Sequence, residues 1–345
     1  MSRPQVLIST ICLFALPLLA QVADSERPIP VLTGNAGFIT TSENGETTLT
    51  PQINPVLLLP LGDHWLIESR AEFEGELERP AGASGFDGDF NKELDYLQVD
   101  YIANPYLTVT VGRFLTPFGM YNERLYPIWI RDLQQVPLIF PIGTGSSDGL
   151  MLRGGFSLNS KVNLNYASYF STLSTNDTLD SDRNIGGRIG LFFPGPRVEA
   201  GVSWQKSLQE DRKNSFGFHF AWQPPRVPMN IRSEYARSDD GSGYWIESAY
   251  RLSQIPVWNH VMRRTELVAR MQQFFKGENT APGGPDNEYN LPFGNVQQPD
   301  LGLNYYIHDG LKVSGSYGRW FGHKDWNTWE MGIAYRFALP LGREQ

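Results

Sequence analysis

Beyond Ala20 the chain contains no apolar run near the ~18 residues that a membrane-spanning helix needs, yet it is full of short segments in which apolar and polar side chains alternate. Together these features point to strands, because a period of two puts successive side chains on opposite faces of a β-strand. Trp65, Ile67, Ser69, Ala71 and Phe73 alternate with Glu68, Arg70, Glu72 and Glu74, and Val198, Ala200, Val202 and Trp204 with Glu199, Gly201, Ser203 and Gln205. Phe216, Phe218 and Phe220 alternate with Gly217, His219 and Ala221; Tyr244, Ile246, Ser248 and Tyr250 with Trp245, Glu247 and Arg251; Trp329, Met331, Ile333, Tyr335 and Phe337 with Glu330, Gly332 and Arg336. The segments are about ten residues long, the length of a tilted strand crossing a bilayer.

A soluble β-sandwich would share this period, so the connections must separate the two folds. They alternate short and long, as expected when every second turn faces the periplasm and the others face outward. Short ones lie near Leu61–Asp63, Asn104–Pro105, Asn159–Ser160, Pro194–Pro196, Pro224–Val227 and Asp309–Gly310, with a looser one at Ile255–Met262. Long ones lie near Arg79–Asp89, Thr116–Asp148, Thr172–Asp182, Gln209–Lys213, Ser238–Ser242, Gly277–Gln297 and Gly322–Asp325. Strands therefore run from about Thr47 to about Ala338, and parity requires one more crossing, through Val31 to Thr41. The reading is an all-β protein, a transmembrane antiparallel β-barrel of sixteen strands with both termini in the periplasm. Fourteen and eighteen are the alternatives, since single strands are weakly signalled.

The first twenty residues, with Arg3, an apolar run from Val6 to Leu19 and the small Ala20, predict a signal peptide cut after Ala20 or near Ala23. Residues 1–20 are thus expected to be removed, and 21–345 to form the barrel in the outer membrane of a Gram-negative type envelope. Cys12, the sole cysteine, lies in the removed segment, so the exported chain has no disulfide, zinc-thiolate site or cysteine nucleophile. Losing Arg3 leaves an acidic chain, which argues against nucleic acid as a partner. Outer-membrane lipids and small hydrophilic solutes or ions are the expected partners.

Thr116–Asp148, the third external connection in this count, is rich in apolar groups: Phe118, Tyr121, Tyr126, Trp129, Leu133, Val136, Leu138, Ile139 and Phe140. Left in water it would expose them, so it is expected to fold into the barrel. Pro127 and Pro137 bracket a predicted short helix, with Trp129, Leu133 and Val136 on one face and Arg131, Asp132 and Gln135 on another, turned to the remaining opening. An external cap or an oligomer contact is the alternative.

The segment Val111-Gly112-Arg113-Phe114-Leu115-Thr116-Pro117-Phe118-Gly119, followed by Tyr121-Asn122-Glu123-Arg124, Arg131-Asp132-Leu133 and Ser147-Asp148-Gly149, resembles the matching part of the phosphate-selective porin O and P family. The resemblance implies a sixteen-stranded, trimeric channel with an inward-folded third loop. It places Arg113, Tyr121, Glu123, Arg124, Arg131 and Asp132 at a pore constriction.

Members of that family named for phosphate rely on a dense basic ladder, and this chain departs from that. Parity turns Arg70, Arg153, Arg188, Arg232, Arg251, Arg270, Lys312 and Arg336 toward the lumen, but also Glu68, Glu72, Glu74, Asp100, Glu199, Glu234, Glu247, Glu266 and Glu330. A mixed wall predicts a weakly selective diffusion channel with a modest anion preference carried by Arg124 and Arg131. No catalytic, metal or cofactor site is expected. Gly145-Ser146-Ser147-Asp148-Gly149 has nucleophile-elbow spacing but lies where a loop enters a strand. Asp180, Asp182 and Asn184 begin like a calcium loop that no glutamate closes. A barrel esterase or phospholipase, which would need a histidine beside a wall serine, and a structural barrel are the alternative functions. The chain without its leader is expected to fold in detergent into a heat-modifiable, sheet-dominated species. Circular dichroism dominated by helix, or solubility without detergent, would refute the barrel.

Overall fold

The computed structural model describes residues 29–174, 179, 181–209, 212–277 and 291–342. The expected signal peptide, Asp180 and most of the long connection Gly277–Gln297 lie outside them. The strands are β1 (Val31–Glu43), β2 (Glu46–Leu61), β3 (Trp65–Arg79), β4 (Asp87–Asn104), β5 (Leu107–Leu115), β6 (Ser146–Asn159), β7 (Val162–Thr172) and β8 (Asn184–Phe193). They continue as β9 (Val198–Ser207), β10 (Asn214–Trp222), β11 (Met229–Arg237), β12 (Gly241–Arg251), β13 (Thr265–Lys276), β14 (Val296–His308), β15 (Leu311–Trp320) and β16 (Trp326–Pro340). Each pairs antiparallel with its sequence neighbours, and β1 pairs with β16 from Val31↔Pro340 to Glu43↔Thr328, closing a sixteen-stranded barrel. Among the described residues two single-turn α-helices, α1 (Tyr121–Arg124) and α2 (Asn259–Met262), interrupt the connections. Among the described residues no helix is long and apolar enough to cross a membrane.

Both the strand count and the parity follow the alternation. On β16 Trp329, Met331, Ile333 and Tyr335 are exposed on the outer face, while Thr328, Glu330 and Ala334 are buried on the inner one. On β10 Phe216 and Phe218 point out and His219 points in. An apolar exterior around a closed ladder is what hydrocarbon demands.

One irregularity changes the chemistry of the wall. The register between β3 and β4 shifts at Arg70/Ala71, where the ladder passes from Tyr96 to Leu94 and leaves Asp95 without an opposite residue. This bulge turns Asp95 inward, 2.6 Å from Arg70 Nε. Period-two counting alone cannot find that partner.

Mid-strand residues on the outer face should therefore tolerate no charge. Leu301→Arg on β14 is expected to cost about 2–4 kcal/mol if it lies at the bilayer midplane. Reversible urea unfolding in lipid vesicles would check this, with Leu301→Ala as reference.

Candidate functional site

A sixteen-stranded barrel is wide enough to leave an aqueous channel, so what occupies the interior decides function. The long β5–β6 connection makes its contacts with inward-facing side chains of the wall, reaching from β8 round to β16 and β1. At its start Gly119 adopts φ +62°, and a β-carbon there would collide with the carboxylate of Glu234 on β11. Glycine lets the backbone approach that closely. Glu234 then accepts the N–H of Met120, the N–H of Tyr121 at 2.9 Å and the indole N–H of Trp245 at 3.2 Å. It caps the first turn of α1.

The residues expected at the constriction are all found in partnerships. Glu123 pairs with Arg188 at 2.5 Å and Arg124 with Glu199 at 2.8 Å. Asp132 pairs with Arg232, which also contacts Glu247 at 3.2 Å. Sequence neighbours thus do not neutralise one another; each charged group of the loop, Arg131 excepted, takes an opposite charge from the wall. Arg131 donates to the carbonyls of Tyr126 and Gln134, the latter at 2.9 Å, and stacks 4.5 Å over the Tyr126 ring. Tyr121 is buried against Phe140 and Trp245. Arg113 lies on β5, donating to Leu94 O at 2.7 Å and facing Asp148 at 3.3 Å.

The wall arginines behave in the same way. Arg70 pairs with Asp95, Arg153 with Asp100 at 3.1 Å, and Arg270 lies 3.4 Å from Asp300 while donating to Gln135 O at 2.8 Å. Arg336 departs from this pattern: it is exposed, its guanidinium 5.6 Å from the Trp129 ring.

No helix spans Pro127 to Pro137: only a turn with Ile130 N–H and Arg131 N–H on Pro127 O forms there. The reason is competition for the backbone. Lys312 on β15 donates to the carbonyls of Ile128, Trp129 and Arg131 at 3.2, 3.0 and 2.6 Å, while Glu330 accepts Gln135 N–H at 3.2 Å. Wall side chains satisfy groups that a helix would have paired internally. Asp132 and Gln135 accordingly turn to the wall, and Arg131 turns back onto carbonyls of the loop itself.

Apolar contacts complete the docking. Phe118, Met120, Tyr121, Leu125, Ile139 and Ile142 pack on Ala236, Trp245, Phe274 and Val296. The alternation set Trp245 and Gly217 in the inward series, but the expectations gave no docking role to these apolar positions or to Gly37, Gly217, Gly243 and Gly302. A β-carbon added at those four glycines would strike Ile128, Phe118, Ile139 and Leu133, respectively. Inward glycine within a strand was the available signal, since it marks close approach by another chain segment.

The other motifs gain no chemistry. Ser147 Oγ lies 2.9 Å from Thr116 Oγ1, and Ser146 donates to Asp95 O at 2.6 Å. His219 is the histidine nearest to meeting the esterase requirement, lying diagonally from Ser203 across β9 and β10. Ser203 Oγ accepts Gly119 N–H at 3.0 Å, however, and both His219 ring nitrogens lack a hydrogen-bond partner, Glu199 being 3.6 Å away. No group of three His, Cys, Asp or Glu converges as metal ligands among the described residues.

No protein-family model and no curated protein sequence matches the chain. Solved structures do. The Pseudomonas putida OprB structure at high pH aligns with TM-score 0.61 and 9% identity, over 94% of this chain and 96% of that one. A loop L8 deletion mutant of OmpT, an outer membrane protein of Vibrio cholerae, aligns with TM-score 0.59 and 12% identity, over 90% and 100%. An anion-selective porin from Comamonas acidovorans aligns with TM-score 0.56 and 13% identity, over 89% and 99%. The fold is that of outer-membrane porin barrels, and with its apolar exterior it sets this chain in the outer membrane. Identities this low carry the fold and no solute.

The cap on α1 gives a direct test. Glu234→Ala leaves two buried backbone N–H groups and an indole N–H without their acceptor, at about 1–3 kcal/mol for each one left unsatisfied. A lowered urea midpoint is expected, and Glu234→Gln should recover part of it.

Proposed function

We propose that the protein is an outer-membrane porin, a passive and weakly selective diffusion channel for small hydrophilic solutes or ions, and not an enzyme. The observation that carries this reading is a closed barrel of porin architecture whose inner face is polar and matched in charge. The loop contributes Glu123, Arg124, Arg131 and Asp132 at the constriction, two acids and two bases. Its carboxylates and Arg124 are paired on the wall, so little fixed charge is left to discriminate between ions. Arg113 borders that region, and Arg70, Arg153, Arg188, Arg232, Arg270 and Arg336 belong to the lumen wall. The modest anion preference expected from Arg124 and Arg131 is thereby reduced further.

The resemblance to the phosphate-selective O and P family, which rests on Val111–Gly119 and the loop after it, supports assembly as a homotrimer within outer-membrane lipids. Cross-linking in detergent at dilute protein should give a trimer band. The predicted leader, 1–20, belongs to the same reading and is checked by the N-terminal sequence of the exported chain. The close filling of the interior favours one second reading, a structural barrel, which would conduct in none of its forms.

Single-channel recording tests the channel. Steps of conductance from the purified protein are expected, with a reversal potential near zero across a tenfold salt gradient. Arg124→Ala uncovers Glu199 and should move that potential toward cations. An unmoved potential would take Arg124 out of the constriction.

A further inference from the structure

The interior is closed more completely than a charge-matched constriction requires. Each of the sixteen strands contributes at least one inward side chain that is no more than 9% exposed. Residues lining a water-filled lumen would be wetted on one side, whereas Gln272 on β13, Gln298 on β14 and His219 on β10 are each at 0%. The two glutamines bond to the loop: Gln272 accepts Leu138 N–H at 2.9 Å, and Gln298 donates to Gln135 Oε1 at 2.6 Å.

The β5–β6 loop also reaches far along the axis. Its turn meets Lys312, the second residue of β15, and Gly37 and Ala334 near the middle of β1 and β16, so the loop tip extends from its own rim to about the middle of the barrel. The wall is shaped to receive it. At Gly217 the three atoms nearest to an added β-carbon belong to Phe118; at Gly302 the first is Leu133 Cδ2, with the next at 3.5 Å. Both positions therefore have room for a side chain as far as the barrel is concerned, and lack it where the loop docks.

We propose that segment 116–145 is a plug rather than a fixed constriction: this structure is the shut state of the channel, and solutes pass when the tip leaves its sockets. The inference rests on the diffusion-channel reading. Glu234 and the apolar cluster around Trp245 anchor the base of the loop. Lys312 and the Gly302 socket hold the tip, whose polar groups can exchange wall partners for water on leaving. The hydrogen-bond ladder of the barrel does not depend on the tip, so the two states share one closed wall.

The test drives the equilibrium both ways in the exported chain, reconstituted in planar bilayers and confirmed as folded by heat-modifiability. Gly302→Leu wedges a side chain into the socket of Leu133 and should raise the open fraction roughly tenfold or more, the shift expected when overpacking disfavours one of two states. Gln134→Cys with Ser314→Cys puts thiols on residues whose side chains now hydrogen-bond at 3.3 Å; a short bis-methanethiosulfonate bridge between them should tether the tip and abolish conductance, and dithiothreitol should restore it. Steady wild-type conductance left unchanged by the bridged tether would overturn the plug while leaving the channel reading intact. A folded barrel lacking Glu123–Gln135 that conducts nothing would overturn the channel reading, and this proposal with it.

Discussion

Inside a bilayer every backbone N–H and C=O must find its partner within the protein, and the pairing of β1 with β16 is the contact through which this chain meets that demand. Without it two strands would present unpaired edges to hydrocarbon, at several kcal/mol for each unsatisfied group. Closure in turn fixes an inside and an outside for every strand. The alternation of apolar and polar residues then becomes a division between lipid and lumen.

The same closure creates a second demand. A barrel of this width encloses many inward polar and charged groups, which must be hydrated or paired. Here they are largely paired, with each other across the wall, as in Arg70–Asp95 and Arg153–Asp100, and with the loop, as in Glu123–Arg188, Arg124–Glu199 and Asp132–Arg232. Glu234 and Lys312 illustrate the economy of this arrangement: one carboxylate serves two backbone donors and an indole, and one ammonium serves three carbonyls. Removing one partner of such a group costs more than the bond itself contributes, because the other is left buried without its match.

Apolar chemistry complements this inside the lumen. Trp245, Phe274 and Val296 occupy inward positions where water would be a poor neighbour, and the loop covers them with Phe118, Ile139 and Ile142. Permeability and stability are therefore coupled, since a loop that moves must give up hydrogen bonds, ion pairs and apolar burial together. The base carries most of the apolar contact and the tip most of the bonds that water can replace.

The barrel, sixteen strands as the preferred count, nearly every connection and the parity of Arg188, Arg232, Glu234 and Lys312 were legible in the residues alone, because a two-residue period and alternating loop lengths are local signals; closure of β1 on β16 then excluded fourteen and eighteen. The sequence also singled out the β5–β6 segment, whose aromatic content no solvated loop would carry. The tertiary structure alone decided which charges meet, that Asp95 turns inward at a bulge, and that Pro127–Pro137 surrenders its helix to Lys312 and Glu330. Those outcomes depend on groups brought together from distant strands, and a buried backbone carbonyl takes whichever donor the closed wall supplies.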